Sequence, residues 1–112
     1  MRFAVPVTDG KTAAHFGHCS HFALFDVDDK RKTIVRKEIV PSPGHQPGFL
    51  PAWLAEQGVS LVIATGMGSR AQTIFEEHHI QVVIGACDDD PEKLVMNYLD
   101  GKLVTGKNIC DH

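Results

Sequence analysis

The apolar positions of this 112-residue chain change their period near residue 50. Before it they come in runs with strand character: Arg2 to Thr8, Phe22 to Val27, and Lys32 to Val40. The first closes on Asp9-Gly10, a turn signal, and the third is rich in β-branched residues at Ile34, Val35, Ile39 and Val40. Asp28-Asp29-Lys30 predicts a tight hairpin between the second and third. Pro41 to Gly48, with three prolines and two glycines, neither continues a strand nor readily starts a helix, and reads as a loop.

Beyond that loop the period becomes helical. Leu50, Trp53, Leu54 and Gln57 share one face, with Pro51 suited to a first turn and Gly58 to a C-terminal cap. Leu61-Val62-Ile63-Ala64 is a short unbroken apolar run, as expected of a strand buried on both faces. Gly66-Met67-Gly68 turns the chain. Ser69 and Gln72 have the spacing of a capping box ahead of a stripe at Ala71, Ile74, Phe75 and His78. Ile80 to Ile84 reads as a further buried strand. Asp90-Pro91-Glu92 then starts a helix with Leu94, Val95, Tyr98 and Leu99 on its apolar face, stopped at Gly101.

The order is βββαβαβα: an antiparallel meander followed by right-handed crossovers. These elements predict an α/β domain, a mixed five-stranded sheet flanked by helices, with spatial order 3-2-1-4-5. Strands 1, 3, 4 and 5 then point one way, and the loops after them share one edge of the sheet. Ligand sites in open α/β sheets lie at the carboxyl ends of parallel strands. Here that edge gathers His15, His18, Cys19 and His21; His45; Gly66 to Ser69; and Cys87.

The first of those loops concentrates the chemistry. His15-Phe16-Gly17-His18-Cys19-Ser20-His21 places three imidazoles and a thiol within seven residues, the side chains that bind borderline and soft metals. Three cysteines cannot all pair, and as thiols they are available for metal or redox chemistry. Cys110 and His112 end a tail that starts at the opposite edge and is long enough to return to the site edge; it equally fits a free end or a second subunit. Gly66, Gly68 and Ser69 open a helix whose N–H groups suit an anion. Gly66 to Ala71, with Asp88 some twenty residues on, partly matches a dinucleotide fingerprint, but only one further strand follows. His78 and His79 sit at a helix end, where the dipole accounts for them.

Composition narrows the function classes. Apolar content of 43% and charged content of 22% describe one ordinary globular domain. A net charge of −3, with no Lys/Arg cluster, argues against nucleic acid, and no window approaches a membrane span or a signal peptide, so a cytoplasmic location is expected. No Ser/His/Asp or Cys/His arrangement has an orienting partner, and inward carboxylates for two-metal hydrolysis are too few. A binding protein, not an enzyme, is expected.

With these residues in place, the chain resembles the dinitrogenase iron–molybdenum cofactor biosynthesis family, of the NifX and NifB C-terminal type. The resemblance lies in the Val-Pro-Val strand with Asp9-Gly10, in His15-Phe16-Gly17 and the Phe22 strand, in Gly58 to Ala71, and in the Glu92 to Gly101 helix ending Tyr98-Leu99-Asp100-Gly101. It spans residues 1–103, leaving 104–112 as a tail with Cys110-Asp111-His112. It implies a ribonuclease H-like fold without nuclease chemistry, carrying an iron–sulfur or iron–molybdenum-type cluster. It also implies partners among cluster-assembly ATPases or cofactor-synthesis proteins. His18, Cys19, His21, His45, Cys110 and His112 go beyond the family pattern and would suit zinc as readily. The alternative is thus a zinc-binding or metal-free module regulating a cluster-assembly ATPase, and a homodimer sharing one site stays open.

Overall fold

A computed structural model describes residues 1–43, 49–86, 89–103 and 105–106. Its elements are β1 (Arg2–Thr8), β2 (Lys11–Thr12), a 3₁₀ turn (Phe16–His18), β3 (His21–Asp28), β4 (Thr33–Pro41), α1 (Phe49–Glu56), β5 (Leu61–Ala64), α2 (Ser69–Glu77), β6 (Gln81–Ile84) and α3 (Pro91–Leu99). The sheet is mixed and runs β4-β3-β1-β5-β6, with β2 paired to β1 alone.

It therefore has six strands among the described residues, where five were expected. The extra one is a two-residue return, Val7 opposite Thr12 and Thr8 opposite Lys11. Asp9 and Gly10 both take positive φ, 54° and 79°, the combination a two-residue hairpin needs. What reads as the end of a strand is thus the tip of a hairpin. The β3–β4 turn also differs, covering residues 29–32. Asp28 Oδ1 accepts from the N–H groups of Lys30 and Arg31, and Lys32 takes φ 55°.

Alternation along β1 divides the interior into two layers. Ala4 lies on one face with Phe22, Leu24 and Val62, beneath Leu50 and Leu54 of α1 and Phe75 of α2. Phe3, Val5 and Val7 lie on the other with Phe25 and Ile63, beneath Leu94 and Val95 of α3. Every residue of β5 is buried, as its unbroken apolar run requires of a strand covered on both faces. Pro6 sits past the last register pair of β1 with β5, Ala4 opposite Val62, so its missing N–H interrupts no ladder.

Two helix starts contrast. Asp90 caps α3, its side chain accepting from Glu92 N–H at 3.0 Å with Pro91 in the first turn. The expected capping box of α2 does not form. Gly68 is its N-cap, no side chain caps it, and Gln72 Nε2 instead donates to Met67 O at 3.0 Å. At the sheet's flank, β4 is exposed along most of its length, and its register with β3 slips between Asp26 and Val27.

Strand direction decides where the loops meet. β1, β5 and β6 are parallel, while β3 runs against both β1 and β4. The carboxyl ends of β1, β4, β5 and β6 therefore share one edge.

Candidate metal centre

Backbone hydrogen bonds tie the loops of that edge together. Phe16 N–H donates to Gly66 O at 2.9 Å, joining the histidine loop to the turn before α2. Thr12 N–H donates to Asp89 O at 2.9 Å, reaching the loop before α3. Ser42 N–H donates to Ser20 O at 2.9 Å, and Gly85 N–H to Thr65 O at 3.0 Å. Each bond holds one loop against another.

Within the histidine loop, residues alternate between anchor and rim. Phe16 is buried, edge-on to Phe75 at 5.2 Å and tilted against Phe22 at 5.7 Å. That ring pins the 3₁₀ turn into the layer under α2. His15, just before it, and Gly17, inside it, are exposed, and His18 closes the turn. Cys19 drops back into the core at 3% exposure. Burial pushes its thiol up to about 11, although polar contacts with its own backbone and with Ser42 pull the other way. As placed, it packs the base of the loop and holds its proton, whereas a metal wants the thiolate.

His21 opens β3, between Val7 and Pro41, with its ring exposed. Its Nδ1 lies 2.9 Å from Ser20 Oγ, and Ser20 Oγ donates to Val7 O at 3.3 Å. With the hydroxyl proton on Val7, Ser20 accepts from Nδ1–H and the lone pair falls on Nε2, a form of imidazole that binds metals. The ring borders an open cleft of about 240 Å³ with Asp9, Ser20, Lys37, Ile39 and Pro91 among its walls. Lys37 is a polar neighbour that the sequence does not single out, since it arrives from β4, which no local motif connects to the loop; Asp9 stands out in the sequence as part of the Asp9-Gly10 turn, not as a metal ligand.

The turn before α2 places Gly66 and Met67 in the interior and leaves Ser69 exposed as the first helical residue. A Cβ on Gly68 would meet nothing within 4 Å, and its φ of −64° suits any residue. Packing therefore does not explain that glycine, and the space above it is open. His78 and His79 end α2, exposed, as expected. His45, Cys87, Asp88, Cys110 and His112 lie outside the described residues.

The described residues thus leave His15 and His21 exposed at the two ends of one loop, with Cys19 buried between them. Among them no three His, Cys, Asp or Glu side chains stand close enough to hold a metal ion. His15 and His21 are each metal-competent imidazoles, whereas the buried thiol of Cys19 does not fit as a ligand in this arrangement. Among the described residues, no helix is long and apolar enough to cross a membrane.

Comparison with known proteins places the chain in a family. The chain is 28% identical over 108 residues to an uncharacterized protein of Methanocaldococcus jannaschii, MJ0580, covering 92% of this chain and 89% of that one. The crystal structure of PH0822 superposes with a TM-score of 0.85 at 28% identity, covering 94% of each chain. The apo form of the orange protein from Desulfovibrio gigas shares the fold, with a TM-score of 0.73 at 21% identity over 96% of this chain and 93% of that one. The family model described as dinitrogenase iron–molybdenum cofactor matches residues 1–101, and the chain belongs to that family.

Proposed function

We propose that this protein is a non-catalytic carrier that takes an iron–sulfur or iron–molybdenum-type cluster as cargo at the loop edge and passes it on during cluster assembly. One observation carries the reading: four loops are cross-linked by backbone hydrogen bonds at one edge of the sheet, and the first of them exposes His15 and leads into the exposed His21. Family membership supplies the class of cargo.

In this reading residues 1–103 are the cargo-binding domain, on a ribonuclease H-like fold, and 104–112 are its tail. His15, His18 and His21 attach the cargo from the first loop and His45 from the Pro-rich loop, with Cys110 and His112 as further ligands. Cys19 enters the ligand set only if the loop opens, since its thiol is buried under the rim. The open N-terminus of α2, at Gly66, Gly68 and Ser69, faces the anionic side of the cargo, where unsatisfied N–H groups favour negative charge. Partners would be cofactor-synthesis proteins or a cluster-assembly ATPase, met in the cytoplasm. An accessible rim whose donors come from loops suits transfer better than permanent storage.

Anaerobic reconstitution with iron and sulfide, followed by metal and sulfide analysis of the wild type, His15→Ala and His21→Ala, tests this. Bound metal with sulfide that falls in both variants is the expected result. Zinc without sulfide would favour the regulatory module, and a wild type that retains no metal would end the carrier reading.

A further inference from the structure

The histidine loop serves both faces of the sheet. Phe16 and Cys19 enter the layer under α1 and α2. His21 is paired with Val7, Lys37 with Phe25 and Ile39 with Ala23, and those three partners all belong to the layer under α3. Residues directly opposite in neighbouring antiparallel strands share a face, so His21, Lys37 and Ile39 stand on the α3 side. That side is left open over β4, where Ile39 is 50% exposed. The cleft of about 240 Å³ beside His21 lies here, with Val7, Asp9, Lys37, Ile39 and Pro91 among its walls.

The polar groups of the cleft are sorted by kind. Lys37 Nζ lies 5.8 Å from the centre of the Phe25 ring, and no carboxylate among the described residues pairs with it. Phe25 is four residues along β3 from His21, about 13 Å at the rise of a strand, so the ammonium and the imidazole mark opposite ends. The imidazole end is built of acceptors. His21 Nδ1 is taken up by Ser20 Oγ, which leaves the lone pair on Nε2, and Asp9 adds a carboxylate two residues beyond Val7. A donor at one end and acceptors at the other, with apolar walls from Val7, Ile39 and Pro91, suit an elongated molecule that carries both charges.

We propose that this cleft binds a short peptide in its zwitterionic form, the terminal carboxylate on Lys37 and the terminal ammonium on Asp9 and His21. Three extended residues span up to about 11 Å, and the reach of the lysine side chain covers the remainder. A single amino acid, with both charges on one carbon, cannot touch both ends. The reverse direction would set the peptide's ammonium against Lys37, so charge fixes the orientation as well.

Titration of the metal-free full chain with alanyl-leucyl-alanine, followed by amide chemical shifts, tests this. The N-acetylated and C-amidated forms of the peptide each remove one charge, and free leucine is the short control. On the protein, Lys37→Met removes the charge and keeps the stem over Phe25, while Asp9→Asn keeps a residue that tolerates φ 54°. Saturable shifts at Val7, His21 and Ile39 are expected. Either blocked terminus and either variant should weaken binding roughly 3- to 10-fold, the loss of about one hydrogen bond, with shifts away from the cleft unchanged, and leucine should bind more weakly still. No saturable shift at those residues, equal binding of the blocked and free peptides, or wild-type affinity in both variants would overturn the proposal. His21 is also a ligand in the cargo reading, which is why metal is left out. A failed titration leaves that reading standing, and a chain that takes up no iron leaves this one.

Discussion

Phe16 is the residue on which the histidine loop hangs, and its removal should be felt in two measurements at once. The ring is 4% exposed and touches two aromatic neighbours, Phe75 at 5.2 Å and Phe22 at 5.7 Å. Truncating a buried phenylalanine costs about 3–5 kcal/mol from lost transfer energy and the cavity left behind. Because Phe16 lies at the border of its layer, where the loop can partly settle, about 3 kcal/mol is expected for Phe16→Ala. With a urea dependence of about 1.5 kcal/mol per M, the unfolding midpoint should fall by about 2 M at unchanged slope. Phe16→Leu keeps most of the apolar volume and should recover more than half of that loss. In the folded Phe16→Ala protein, His15 would no longer be held at the rim, so iron retention after reconstitution should drop as well. A midpoint within about 0.3 M of the wild type at the same slope would mean that the ring does not anchor the loop.

Cys19 should make stability fall at high pH. Its thiol is held protonated to about 11 in the folded chain against 9.0 for a free one. The contribution is complete below about pH 9 and is lost between there and pH 11, amounting to roughly 2–3 kcal/mol; urea titrations of the wild type and Cys19→Ala across that range should converge accordingly. Asp26, held below the usual carboxylate range by its hydrogen bond with Arg2 at 2.8 Å, acts in the opposite direction. Its contribution is present above the ordinary aspartate range and is lost as pH falls through the depressed value. The pair is partly exposed, so Asp26→Asn should cost less than about 1 kcal/mol at neutral pH by denaturant titration. Asp90→Ala removes the cap of α3 and should cost about 1 kcal/mol, seen calorimetrically as a melting point about 4–6 °C lower.

Legibility in the sequence followed how local each determinant is. The β5 run and the Asp90-Pro91 helix start depend on neighbours in the chain, and the structure has both where the pattern puts them. Strand direction then follows from chirality and connection length, which is why the meeting of the loops at one edge could be anticipated. The two-residue β2 was missed because Asp9-Gly10 ends a strand and starts a hairpin with the same signal. The capping box at Ser69 was misread because the spacing of Ser and Gln is compatible with a helix that starts one residue earlier, at Gly68. Cys19 shows the deeper difficulty. A thiol between two histidines looks like a ligand, but Cys19 is buried in the same core layer as Phe16 and Phe75, and Phe75 lies far along the chain where no local pattern connects it to the loop.

The slip in register on β4 has a consequence for life at high concentration. An edge strand nine residues long, with Val35 and Ile39 uncovered, is the kind of surface on which chains polymerise. Here the slip falls beside Val35, so an incoming strand meets a break in the row of peptide groups instead of a continuous template. Arg36, Lys37 and Glu38 place charge along the next stretch, and Lys37 Nζ lies 5.8 Å from the ring of Phe25, folded back over its own sheet. The flank is therefore guarded by shape and charge together. Straightening that step while replacing Lys37 with valine should turn a discrete globule into a seed for fibres.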